Sequence, residues 1–188
     1  MGKRIVLGIT GASGFIYGIT ALELLNRAGY EIHLVITEPA KKIQRCECGT
    51  PDSYIQSLSH KIYDINDIDA PIASGSFHTN GMLIAPCSAN TMARVANGIC
   101  DNLIARAADV TLKERRRLVL MVRESPVHLG HIKNMQAVTE AGGVICPPVP
   151  SFYARPTTIA EIVTQSVARA LDLFDINTDI PRWGCYGE

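Results

Sequence analysis

The chain has 188 residues, 47% of them hydrophobic and 19% charged, with 18 Lys+Arg set against 18 Asp+Glu. That length suits one domain with elaborations, and that composition a packed core rather than a disordered chain. The charge balance excludes a broad electrostatic nucleic-acid footprint, and no apolar run approaches the ~20 residues of a membrane span. A soluble, cytoplasmic protein is expected, with neither nucleic acid nor membrane as partner. Six cysteines stand at positions 46, 48, 87, 100, 146 and 185. A chain able to build its own core needs no disulfide framework, and Cys46-Glu47-Cys48 lacks a second close Cys or His pair for zinc.

In chain order, Lys3–Thr10 is a continuous Ile/Val-rich run, the pattern of a strand covered on both faces. The glycine-rich turn after it fits a first strand better than a signal peptide, and Val6 stands where myristoylation of Gly2 wants Ser or Thr. Ile16–Ala28 reads as a helix with Gly29 as its stop, Glu31–Ile36 as a second strand, and Glu38–Arg45 as a short helix opened by Pro39. From Cys48 to Thr79 periodicity is poor; a small strand or helix wrapping around a site is expected there. Gly81–Ala85 is a third strand stopped by Pro86, with helices at Thr91–Ala96 and Asn102–Glu114. Leu118–Val122 is a fourth strand, followed by a helix from His128 to Ala141 and a fifth strand at Gly143–Cys146. After the stiff Pro147, Pro148 and Pro150 comes a last helix, Thr157–Asp172, and then a tail. Strand alternating with helix predicts an α/β fold: an open, three-layer parallel sheet with helices on both faces. Ligands bind such sheets at the carboxyl ends of the strands.

Polar residues follow each strand. Gly11-Ala12-Ser13-Gly14 is spaced Gly-x-x-Gly-x-x-Gly from Gly8, unlike the Gly-x-Gly-x-x-Gly dinucleotide fingerprint; it is either an ordinary turn or an anion-binding loop at a helix start. Thr37 is a helix cap or a ligand contact, and Glu47 alone means little. Pro86-Cys87-Ser88-Ala89-Asn90-Thr91 offers three candidate caps where one would do, which favours binding of phosphate or a polar ring edge. On the Asn102 helix, Asn102, Arg106, Asp109 and Lys113 fall in one thin stripe bordered by apolar positions. That stripe is either an ion-pair ladder, Arg106–Asp109–Lys113, or a carrier of cations into a site. Arg123-Glu124-Ser125-Pro126 puts a charged pair at a strand's carboxyl end, where Arg grips phosphate and Glu handles a proton. Phe152-Tyr153, Arg155, Arg169 and Trp183 also read as packing or surface. Several cations, hydroxyls and aromatics with no Asp-rich metal motif suit an anionic, partly aromatic ligand bound without an obligatory metal.

Taken together, Thr10-Gly-Ala-Ser-Gly14, Ala73-Ser-Gly-Ser76, Pro86-Cys-Ser88, Asp101-Asn-Leu-Ile-Ala-Arg-Ala-Ala-Asp109, Leu112-Lys-Glu-Arg-Arg116, Leu118–Glu124, Pro147-Pro148, Phe152-Tyr153 and Pro181-Arg-Trp-Gly184 resemble the UbiX-type flavin prenyltransferases. These belong to the larger group of homo-oligomeric flavin-containing cysteine decarboxylases. The resemblance implies a Rossmann-like (flavodoxin-like) fold, one flavoprotein domain over residues 1–174, and a tail at 175–188 serving the site or subunit contacts. It implies prenylation of reduced FMN by dimethylallyl phosphate, as the monophosphate or the diphosphate, at N5 and C6, with the product passed to a UbiD-type decarboxylase. Gly11, Ala12, Ser13, Thr37, Ser88, Thr91, Arg106 and Arg123 would hold FMN. Lys113, Arg123, Tyr153 and Arg169 would gather the donor phosphate, with Trp183 and Tyr153 lining the prenyl group. Ser13, Glu47, Lys113 and Glu124 would carry the catalysis. Sites between subunits of a dodecamer are implied as well. The sequence departs from the family pattern at Thr37, where Ser is common, and at His128–Asn134. The Ser88-Ala-Asn-Thr91 run is closer to the cysteine-decarboxylase branch, so FMN-dependent decarboxylation of a cysteine-containing substrate is the alternative, with a non-catalytic flavin carrier as a third reading.

Overall fold

A computed structural model describes residues 2–184 of the chain. Its elements are β1 (Arg4–Ile9), α1 (Phe15–Arg27), β2 (Glu31–Ile36), α2 (Glu38–Glu47), α3 (Asp52–Leu58), β3 (Lys61–Tyr63), β4 (Gly81–Cys87), α4 (Ala89–Ala96), α5 (Leu103–Lys113), β5 (Arg117–Val122), α6 (Leu129–Glu140), β6 (Val144–Ile145) and α7 (Ile159–Asp172). The strands are all parallel, in the order β3-β2-β1-β4-β5-β6.

Both faces of the sheet are buried, because its strands are apolar at successive positions rather than at every second one. Ile5, Leu7 and Ile9 of β1 pack on one side with Phe15, Leu22 and Leu25 of α1 and Val163, Val167 and Leu171 of α7. Val6, Met82, Ile84, Leu118 and Leu120 face the other side, against Met92 of α4, Leu103, Ile104 and Ala107 of α5 and Val138 of α6. Each large side chain so buried contributes about 1.5–3 kcal/mol of transfer free energy.

Two features differ from the expected elements. The irregular stretch yields an extra edge strand, β3, along with α3 and a short 3-10 turn at Pro71–Ala73. Without β3 the order is the flavodoxin one, and with it the dinucleotide-binding one. Strand β4 also runs through Pro86 to Cys87, with a register irregularity between Ile84 and Cys87. Proline lacks only the donor; its carbonyl still accepts, from the Thr10 N–H at 3.2 Å. The His128–Asn134 segment forms a regular helix start. His128 Nδ1 accepts from the Gly130 N–H at 3.0 Å, and the His128 and His131 rings stack at 3.7 Å.

The tail packs back on the domain: Ile176 is buried in the α1–α7 core with Phe174 of the domain's last turn, and Arg182 donates to Asp172. Cys185 and the rest of the proposed tail, 185–188, lie outside the described residues. Among the described residues, no helix is long and apolar enough to cross a membrane.

Candidate functional site

The chain leaves β1 toward β2 on one side, and β4 lies on the other. A crevice must therefore open at the carboxyl ends of β1 and β4. A cleft of about 440 Å³ sits there, lined by Gly11, Thr37, Pro39, Ser88, Ala89, Asn90, Thr91, Arg94, Asn102 and Glu124. The sequence assigns Gly11, Thr37, Ser88, Thr91 and Glu124 to one site, and they meet in this cleft. Gly11 has no room for a side chain: a Cβ there would come within 2.5 Å of the Pro39 Cβ.

The loop after β1 is held by a distant carboxylate. Gly14 opens α1 with φ +99°, a left-handed conformation suited to glycine, and no side chain of its own caps the helix. Instead Glu47 Oε2, at the end of α2, accepts from the N–H groups of Gly14 (2.8 Å) and Phe15 (3.0 Å). Burial pushes the Glu47 carboxyl up, but hydrogen bonds from the Ser13 hydroxyl and these two amides, with the charge of Arg123, bring it below the ordinary carboxylate value. Glu47 thus neutralises the positive helix end beside the cleft. Ala12 is buried, and its N–H donates to the Thr10 carbonyl at 2.8 Å.

The opposite wall is the start of α4. Ser88 caps this helix, accepting from the Thr91 N–H at 3.2 Å and donating to Thr91 Oγ1 at 3.1 Å. Thr37 caps α2 in the same way, accepting from the Ala40 N–H at 3.3 Å. The hydroxyl cluster is thus partly capping, and two helix starts face one cleft, an arrangement that favours an anion. Next to Ser88, burial pushes the Cys87 thiol far up, which leaves it no nucleophile. Arg94 and Asn102 also line the cleft; Arg94 holds Asp101 at 2.8 and 3.1 Å, and Asn102 caps α5. Sequence reasoning places neither in the site, because their positions depend on how the α4–α5 turn folds back.

Other expected residues stand outside the cleft. Arg123 follows β5, with its N–H on the Cys87 carbonyl at 3.0 Å, and its charge reaches Glu47 and Tyr17. Half of the α5 ladder forms: Arg106 pairs with Asp109 at 2.8 Å and also donates to the Ala73 carbonyl at 3.2 Å. Lys113 pairs instead with Glu114 at 2.5 Å. It precedes β5, whereas Glu124 follows it, so the five ~3.3 Å steps across that six-residue strand, ~17 Å in all, run between their places in the chain. Lys113 is not brought to the cleft of its own chain.

Tyr153, Arg169 and Trp183 form a third group. The Tyr153 and Trp183 rings meet edge to face at 5.5 Å. Buried Gln165 of α7 donates to the Tyr153 hydroxyl at 3.3 Å and to the Pro181 carbonyl at 3.0 Å, tying the tail to the domain. Arg169 and Arg182 both pair with Asp172.

The residues of the cleft are of the types that hold a phosphorylated aromatic ligand, and the comparisons agree on the class. The family model described as Flavoprotein matches residues 1–171, so this chain is a member of the flavoprotein family. Within it, the chain belongs to the UbiX-type flavin prenyltransferases. It is 52% identical over 184 residues to the flavin prenyltransferase UbiX of Neisseria meningitidis serogroup B, covering 97% of both chains. Its fold matches the crystal structure of AnUbiX (PadA1) in complex with FMN and dimethylallyl pyrophosphate, with a TM-score of 0.96, 46% identity and full coverage of both chains. It likewise matches a dodecameric FMN-dependent UbiX-like decarboxylase from Escherichia coli O157:H7, with a TM-score of 0.93, 39% identity and coverage of 96% of this chain and 98% of that one.

Proposed function

We propose that this chain is a cytoplasmic flavin prenyltransferase, which joins the dimethylallyl group of dimethylallyl monophosphate to N5 and C6 of reduced FMN and supplies the product to a UbiD-type decarboxylase. The observation that carries the reading is the cleft at the β1–β4 switch point, walled by the capped starts of α2 and α4. Two helix starts, several hydroxyls and a glycine that admits close approach fit a flavin phosphate and ring edge.

The reduced flavin, when bound, supplies the nucleophilic positions. Gly11, Ala12, Ser13, Thr37, Ser88, Thr91, Arg106 and Arg123 hold and orient it. Lys113, Arg123 and Arg169 neutralise the donor phosphate, which lets the allylic C–O bond break, while Tyr153 and Trp183 shelter the electron-poor allyl group. Two new bonds to the prenyl unit displace two protons; one leaves on the phosphate and the other ends on the prenyl chain. Glu124 serves the phosphate proton, and Glu47 with Ser13 the ring proton.

The ~17 Å of strand between Lys113 and Glu124 gives the oligomer a chemical purpose. For both to act at one centre, one must come from a second copy. A homododecamer with sites between subunits satisfies this, with Trp183 of the 175–188 tail serving the prenyl group. The free thiols at Cys46, Cys48, Cys87, Cys100 and Cys146 suit a reducing compartment.

The test sets two substrates against each other. With FMN, the protein should consume dimethylallyl monophosphate and release phosphate under anaerobic reducing conditions. It should release no carbon dioxide from a peptidyl or pantothenoyl cysteine. The reverse result would move the chain to the cysteine-decarboxylase branch.

A further inference from the structure

The two walls of the cleft come from different strands, and one buried hydroxyl joins them. Thr10 is 1% exposed. Its Oγ1 donates to the Pro86 carbonyl at 2.9 Å and accepts from the Ser88 N–H at 2.8 Å. The regular β1–β4 register ends at Gly8 opposite Ile84, so Thr10 carries the connection past the last paired residues. Ser88 in turn caps α4 and lines the cleft. A Val here would have the same shape and would bury more apolar surface. The hydroxyl is therefore not explained by packing. It adds a second hydrogen bond to the Pro86 carbonyl, which the Thr10 N–H also reaches, and it holds the amide of cleft-lining Ser88. Removing it would leave the part-buried Ser88 N–H without that partner and loosen the start of α4.

We infer that Thr10 is a positioning residue for the flavin: its hydroxyl sets the start of α4 at the spacing from Gly11 and Thr37 that the bound molecule requires. The inference rests on the cleft being the flavin site. It concerns a group that touches no substrate and acts through Ser88.

The test compares wild type, Thr10→Val and Thr10→Ser in the intact oligomer, by hydrogen exchange of the 86–92 segment without ligand, by FMN titration, and by steady-state prenylation. Thr10→Val should exchange faster at 86–92 and bind FMN about tenfold more weakly. Its KM for flavin should rise by a larger factor than its kcat falls. Thr10→Ser restores the hydroxyl and should stay within about threefold of wild type. Should Thr10→Val not fold, Thr10→Ala takes its place. Unchanged exchange and FMN affinity in Thr10→Val overturns the role, as does a Thr10→Ser as impaired as Thr10→Val, which would assign the effect to methyl packing. Wild type that takes up no FMN overturns the reading of the cleft and the Thr10 role with it, whereas FMN uptake that is equal in all variants overturns the Thr10 role alone.

Discussion

The Glu47 carboxylate accepts a 2.8 Å hydrogen bond from the Gly14 N–H across 33 residues of chain, closing the start of α1 from the end of α2. One charge thus ties the loop after β1 to the element after β2, beside the cleft. Glu47→Gln keeps an acceptor but loses the charge, and Glu47→Ala loses both. Thermal unfolding should show a small loss for Gln and about 1 kcal/mol for Ala, the size of a lost helix cap. Equal stability of Ala and wild type would show that water caps α1 equally well.

The same contact sets a pH dependence. The folded-state pKa of Glu47 lies below the ordinary value of 4.5, so the unfolded chain binds its proton first on acidification. The contribution of Glu47 is fully present above pH 4.5 and is lost as pH falls through the lower folded value. Wild type should lose stability faster than Glu47→Gln between pH 5 and pH 3, measured by urea unfolding. Parallel curves would refute it.

His33 gives a second pH window at the sheet edge. It is 5% exposed, and its Nδ1 lies 2.9 Å from the Tyr63 hydroxyl of β3. Burial holds its pKa below 6.5, aided by the nearby His60 and only partly opposed by Glu31. The unfolded chain therefore takes up this proton at a pH where the folded one does not. Stability is whole above pH 6.5 and declines as pH falls toward the folded value. Wild type should lose more stability between pH 7.5 and 5.5 than His33→Gln does, with hydrogen exchange rising at Lys61–Tyr63; equal losses would remove His33 as the cause.

Gly11→Ala tests the shape of the cleft. A Cβ 2.5 Å from Pro39 forces the start of α2 outward, and Thr37 with it. FMN affinity should fall at least about tenfold, with a destabilisation of about 1–3 kcal/mol from overpacking. Wild-type affinity would mean that Pro39 yields without disturbing the site.

Subunit mixing tests the division of labour between copies. Lys113→Ala and Glu124→Gln should each be nearly inactive alone. Co-assembled in equal amounts, half of the Lys113 positions and half of the Glu124 positions are intact, so about a quarter of the sites regain both. No recovery in verified mixed oligomers would place both residues at a site within one chain.

Much of this is legible in the sequence. Apolar runs locate β1, β2 and β5, because strands buried on both faces carry few polar positions to blur them. β3 is not legible: only Tyr63 of its three residues is buried, so no pattern distinguishes it from a loop. The sequence pattern ends β4 before Pro86 because a missing donor reads as a stop, although the Pro86 and Cys87 carbonyls still accept. In the site, Gly11, Thr37, Ser88, Thr91 and Glu124 are legible because a parallel sheet gathers the residues just past the ends of its strands. Arg94 and Asn102 are not, since their approach depends on a turn between two helices. The separation of Lys113 from Glu124 follows from the apolar run of β5 between them, although matching the two residues to one family site does not take it into account.

The mass of the flavin tests prenyl transfer most directly. The purified protein would be held anaerobically with reduced FMN and dimethylallyl monophosphate, and the released flavin weighed and its spectrum taken. The expected product is a flavin heavier by one prenyl unit, absent with Glu124→Gln or Lys113→Ala. Unmodified flavin from wild type that demonstrably binds it, with the monophosphate and then with the diphosphate, would contradict prenyl transfer.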